Sequence, residues 1–248
     1  MKIVNRKKRR VILLVFAMKK EFDAFFDDKD IFYTKIDLVD GFSFYKTKIN
    51  QYTVFAFYSG VGKVSMAYNI GLFNSIIKPD LIINIGVAGS ISDQVKGNDL
   101  LVATKTCFYD VDLTKVGYKK GQILEDVLYY DCCGPLLDFI KNNYNNEHIK
   151  YGLIITGDRF VTSDLIDDNW YQEYDNPVAC DMESAVVGQI SHISDIDYLI
   201  VRSISDDAKN STDDSDYYEH VEKACIDSAS FVKTLLNDLS KHDIHKNK

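Results

Sequence analysis

The chain has 248 residues, 46% of them hydrophobic, and a formal net charge of −8 at pH 7. That length suits one α/β domain with a substantial core. The lack of any apolar run near 18 residues argues against a membrane span, and the acidic balance argues against a nucleic-acid partner, which needs a basic surface. Cys107, Cys132, Cys133, Cys180 and Cys225 form no CxxC pair, and their odd number suits reduced thiols in a cytoplasmic protein. Cys132 and Cys133 have no histidine or third cysteine near them in sequence, so no metal is expected.

Residues 1–10 are basic and precede a seven-residue apolar run, Val11 to Ala17, which superficially resembles a secretory signal. Lys19, Lys20 and Glu21 follow at once, so the expectation is a basic tail leading into a first strand at 11–16. A helix is expected near 18–27, strands near 42–48 and 52–58, a helix near 62–77, and strands near 81–85 and 99–103. Residues 109–131 are irregular, with Asp110, Asp112, Gly117, Gly121 and several tyrosines. A strand near 151–156, a helix near 182–193 and a strand near 197–203 come next. Val221, Ala224, Cys225, Ser228, Phe231, Val232 and Leu235 then recur at helical spacing within a helix near 216–239. Residues 241–248 read as a polar tail. With no linker or repeat, this alternation predicts a single α/β domain over 11–240, three layers deep, with helices on both faces of a central mixed sheet.

Polar residues gather where the apolar runs end, the place where open α/β folds bind ligands. Tyr198–Val201 reads as a buried strand, and Arg202, Ser205 and Asp206 follow it. Upstream, Cys180 is followed by Asp181, Met182, Glu183 and Ser184. Taken alone, these residues fit a site for a polar, partly anionic reaction centre or a salt-bridged strand end on the surface. Asp206 also makes a good helix cap, Glu183 suits the positive end of a helix, and Glu21 could be a solvated charge beside Lys19, Lys20 and Asp23. The glycines at 60, 62, 86 and 89 match no Walker or dinucleotide fingerprint and suggest tight strand-to-helix packing.

Three further strand-end segments narrow the choice: Ala17-Met-Lys-Lys-Glu21, Ser59-Gly-Val-Gly-Lys63 and Asn84-Ile-Gly-Val-Ala-Gly89. With Thr156-Gly-Asp-Arg-Phe160 and the two acidic segments, in this order, the chain resembles the nucleoside phosphorylase and nucleosidase superfamily. Within it the resemblance is to the 5'-methylthioadenosine/S-adenosylhomocysteine nucleosidases, from about Val11 to Leu236. It implies an N-glycosyl hydrolase of methionine salvage that releases adenine from an adenine nucleoside, works without a cofactor and forms a homodimer.

The resemblance also assigns roles. Asp206 would protonate purine N7, with Ser205 holding it. Glu183 would bind the ribose 2'- and 3'-hydroxyls, Met182 would pack on the sugar, and Glu21, beside Met18, would activate water. Arg202 would orient the water or the sugar hydroxyls. Phe160 would stack on the purine while the Val161 backbone reads its edge, Val61 would border the substrate, and Tyr217 would lie over the 5' group. Leu113, Val116 and Tyr118 would reach the neighbouring subunit's site. Protonating the base, supporting a cation-like ribosyl group and delivering a nucleophile are what such a cleavage requires.

Phosphorylases of the superfamily bind phosphate with arginines where this chain has Lys19-Lys20-Glu21 and Asn84. A carboxylate at Glu21 would repel phosphate, so hydrolysis is expected over phosphorolysis. Two positions depart from the nucleosidase pattern: Val87 replaces a serine whose hydroxyl helps to hold the water, and Asp181 replaces a glutamate. A phosphorylase, or a nucleoside-binding protein without turnover, is the alternative these departures leave open.

Overall fold

The computed structural model describes residues 10–38, 41–167, 169–208 and 215–242, with only the helical backbone given for 215–219. Strand β1 (Val11–Phe16) is apolar throughout and nearly all buried, as a strand covered on both faces must be. It pairs in parallel with β4 (Tyr52–Tyr58) on one side and β5 (Leu81–Ser90) on the other. Beyond β4 the antiparallel strands β3 (Ser43–Ile49) and β2 (Thr34–Asp37) complete that edge. Helix α1 (Lys19–Phe26) buries Phe22, Phe25 and Phe26 against Phe16, and α2 (Lys63–Ile76) returns the chain from β4 to β5.

On its other side the sheet closes on itself. Strand β5 pairs in parallel with β10 (Asp197–Asp207), which runs antiparallel to β6 (Leu100–Phe108). Strand β6 is parallel to β8 (Ile149–Thr156), β8 is parallel to β9 (Pro177–Asp181), and β9 meets β5 again in antiparallel pairing at Gly89↔Cys180 and Ser90↔Ala179. The short β7 (Tyr130–Asp131) adds to β6. Around this ring lie α3 (Gly134–Asn143), the single turn α4 (Trp170–Glu173), α5 (Ser184–Ser194) and the long α6 (Ser215–Lys241). Val232, Leu235 and Leu236 of α6 are fully buried. A mixed sheet with helices on its faces is the expected architecture, and the closed ring is a feature that local periodicity does not encode.

Two strands run further than their apolar cores suggest. β5 continues through Gly86–Gly89 and β10 through Ser205 and Asp206, because the extensions pair with each other: Arg202↔Gly86, Ser203↔Val87, Ile204↔Ala88 and Asp206↔Gly89. A β-bulge between Ile204 and Asp206 shifts this register and re-aims the side chains. Gly86 and Gly89 therefore lie within a strand, which corrects the expectation of a strand-to-helix turn. Gly60 and Gly62, with φ of +86° and +99°, do form such a turn before α2.

Candidate active site

Glu21 is the third residue of α1, so its side chain folds back over the helix start. Its Oε2 accepts the N–H groups of Ala17 and Met18, both at 2.9 Å, and Oε1 accepts that of Val87 at 3.2 Å. Burial pushes this carboxyl above the usual carboxylate range, while Arg202 and the three N–H groups pull it back. Gly86 makes the approach possible. A Cβ there would strike Glu21 Oε1 and lie 2.6 Å from Arg202 Nη1.

Asp181, the last residue of β9, anchors the centre. Its Oδ1 accepts from Thr156 Oγ1 (2.7 Å) and from the Ser184 N–H at the start of α5 (3.1 Å). Its Oδ2 takes the Ser184 hydroxyl and the Arg202 Nε (2.9 Å). Arg202 is 1% exposed, and its Nη2 also donates to Asn84 Oδ1 (2.6 Å) and Ser184 Oγ (3.2 Å). Losing either partner of such a buried ion pair would cost about 3–5 kcal/mol.

Glu183 precedes α5 and is buried. Its Oε1 accepts the Gly62 N–H at 2.7 Å, and its Oε2 lies 3.9 Å from Arg202 Nη2. Burial first, and then Asp181 and Glu21, push its carboxyl up to about 8. The turn that presents Gly62 is clasped by charge. The Lys63 ammonium meets Asp110 at 2.6 Å, the Lys63 N–H meets Asp158 at 2.9 Å, and the Asp158 N–H returns to Asp110 at 3.0 Å. Across the site, the Ser205 hydroxyl donates to Asp206 Oδ1 at 2.6 Å, and Oδ2 lies over Gly89, where a Cβ would stand 2.9 Å away.

These groups converge on a cavity of about 580 Å³, within the range of small-molecule sites. Met18, Glu21, Val61, Val87, Phe160, Val161, Met182, Glu183, Ser205 and Asp206 line it, ten of the expected site residues drawn from six stretches of sequence. Arg202 does not line it but stands behind the wall, fixed to Asp181. Leu113, Val116 and Tyr118 also lie away from this lining, on and beside the short 3₁₀ turn Thr114–Val116. The side chain of Tyr217 lies outside the described residues. Arg159, Cys180, Gly89 and Asp181 join the lining without having been expected there. Asp181 carried a signal, an acid at the end of a buried run, but Arg159 and Cys180 carried none. The five cysteines are free and buried, and among the described residues no group of three His, Cys, Asp or Glu side chains could hold a metal.

The family model of the phosphorylase superfamily matches residues 11–237. A 5'-methylthioadenosine/S-adenosylhomocysteine nucleosidase of Buchnera aphidicola is 32% identical over 211 residues, covering 84% of this chain and 89% of its own. The solved structure of the Helicobacter pylori nucleosidase of that name, with butyl-thio-DADMe-Immucillin-A, superposes with a TM-score of 0.86 at 28% identity, over 94% of this chain and all of that one. The futalosine hydrolase of Helicobacter pylori superposes with a TM-score of 0.85 at 27% identity, over 93% and 98% of the two chains. The chain thus belongs to the phosphorylase superfamily and, within it, to the family of the 5'-methylthioadenosine/S-adenosylhomocysteine nucleosidases.

Proposed function

We propose that the protein hydrolyses the N-glycosidic bond of 5'-methylthioadenosine and S-adenosylhomocysteine, releasing adenine and the thioribose. The observation that carries hydrolysis is the charge of the cavity. Glu21, Asp181, Glu183 and Asp206 line it against a single lining cation, Arg159, and Arg202 is committed to Asp181. A phosphate dianion would be repelled there, whereas water and a cation-like ribosyl group suit it.

In this reading Asp206, steered by the Ser205 hydroxyl, gives its proton to purine N7 as the C–N bond breaks. Phe160 stacks on the base and the Val161 backbone reads its edge. Glu183 takes the ribose diol, and the positive charge growing on the sugar favours its carboxylate form. Glu21, oriented by three backbone N–H groups, accepts a proton from the water that attacks the anomeric carbon. Met18, Val87 and Met182 border the sugar.

The protein acts as a homodimer. Val64 and Tyr68, one turn apart on α2, are 79% and 56% exposed, and Val116 is 64% exposed. Isolated exposed apolar residues are ordinary, but Val64 and Tyr68 follow closely in sequence on Val61, which lines the cavity and is itself half exposed, and together they support a second copy packing there. No helix among the described residues is long and apolar enough to cross a membrane. Five buried free thiols support a reducing, cytoplasmic setting, and hydrolysis of 5'-methylthioadenosine would give the protein a place in methionine salvage.

Adenine release from 5'-methylthioadenosine, S-adenosylhomocysteine and 5'-deoxyadenosine, with and without phosphate, tests the reading. Turnover to free sugar in phosphate-free buffer is expected. A sugar 1-phosphate as the main product would make the protein a phosphorylase, and binding without turnover would make it a sensor.

A further inference from the structure

Among the described residues Arg202 is the one buried cation, and it stands beside three buried carboxylates, Glu21, Asp181 and Glu183. Left to itself, a flexible guanidinium would divide among them. Its hydrogen bonds instead tie Nε and Nη2 to three fixed acceptors on three elements: Asp181 on β9, Asn84 on β5 and Ser184 on α5. Asn84 is itself pinned, because its Nδ2 donates to the Val15 carbonyl of β1 at 3.0 Å, and it is fully buried. None of these bonds uses Nη1, which is turned to the face of Gly86 where Glu21 Oε1 also stands.

We propose that Asn84 and Ser184 are positioning residues for water activation: with Asp181 they clamp Arg202 so that its Nη1 stands beside Glu21 over Gly86. The inference rests on the reading of Glu21 as the base. A cation held at that point favours the carboxylate form of Glu21, the form that can accept a proton from water. The other groups that face Glu21 are Glu183 at the start of α5, the Cys225 thiol of α6, and the N–H groups of Ala17, Met18 and Val87. Burial pushes Cys225 up to about 12, so it stays neutral, and Glu183 acts against ionisation of Glu21. Arg202 is the opposing charge, and its placement sets the balance.

The test is the pH dependence of kcat/KM for 5'-methylthioadenosine hydrolysis by the full chain, with thermal melts on each variant. The acid limb of the wild type is first assigned by its disappearance in Glu21→Gln. Asn84→Ala keeps the Arg202–Asp181 pair but takes from Nη2 its shortest hydrogen bond, the one to β5, and should move that limb to higher pH by about half a unit or more. Ser184→Ala, a smaller cut, should move it the same way by less, and it carries the test if Asn84→Ala does not fold. A folded variant with lowered kcat but an unmoved limb would reduce the clamp to ordinary packing and overturn the inference. A limb that persists in Glu21→Gln would overturn it too. Absence of hydrolysis in the wild type would instead overturn the functional reading itself.

Discussion

At the floor of the cavity Glu21, Asp181 and Glu183 are buried and held by backbone N–H groups or by Arg202. At the rim, Phe160 is 43% exposed, Val61 is half exposed, and Val116 stands well clear of the lining. The floor comes from strand ends and helix starts, whose geometry the sheet fixes before any substrate arrives. The rim comes from loops, and in the proposed reading its apolar groups receive the base and the 5' substituent. In the proposed reading, reaction geometry is preorganised where charge must be placed to within a fraction of an ångström, and recognition falls to the more exposed surfaces.

If the floor does the chemistry, its variants should lose kcat and the rim variants should lose affinity. The largest effects belong to Asp206→Asn and Glu21→Gln, each expected to lower kcat by on the order of 10²-fold or more in an adenine-release assay. Near-normal turnover in either would remove that residue from its role. Phe160→Ala should leave kcat close to wild type and raise KM by roughly 5- to 150-fold, the worth of ~1–3 kcal/mol of base stacking. A fall confined to kcat would erase the distinction between floor and rim.

Val87 sharpens the comparison, since its backbone belongs to the floor through Glu21 while its side chain faces the cavity. Val87→Ser should raise kcat by at most about 2- to 13-fold, the worth of one hydrogen bond to the attacking water (~0.5–1.5 kcal/mol), with adenine affinity unchanged. Slower turnover on every adenine nucleoside tested would mean that the isopropyl group packs on substrate instead.

The smallest effect is on stability. Glu183 in the folded protein holds its proton up to about pH 8, above the usual carboxylate range. Between those limits the folded state binds more protons than the unfolded state, so this group's contribution to stability falls as pH rises. Glu183→Gln removes that slope. Its melting temperature should therefore gain on the wild type as pH rises from about 5 to 8, and a constant difference would show that Glu183 is already ionised in the free site.

The order of elements was legible in the sequence, because alternating apolar runs and helical periodicities are local properties. The acids were legible as polar residues at the ends of those runs, and Glu21, Glu183 and Asp206 do line one cavity. Only the tertiary structure decided that Gly86 and Gly89 continue a strand, since what extends β5 is β10, a partner more than a hundred residues away. Asp181 read as a departure from pattern becomes the anchor of Arg202, and Asn84 read as a missing arginine becomes its second acceptor. Hydrophobic pattern fixes which residues are buried. Which buried charge meets which depends on strand register, on the ring closed between β9 and β5, and on the absence of a Cβ at Gly86, and none of these is a local property of the chain.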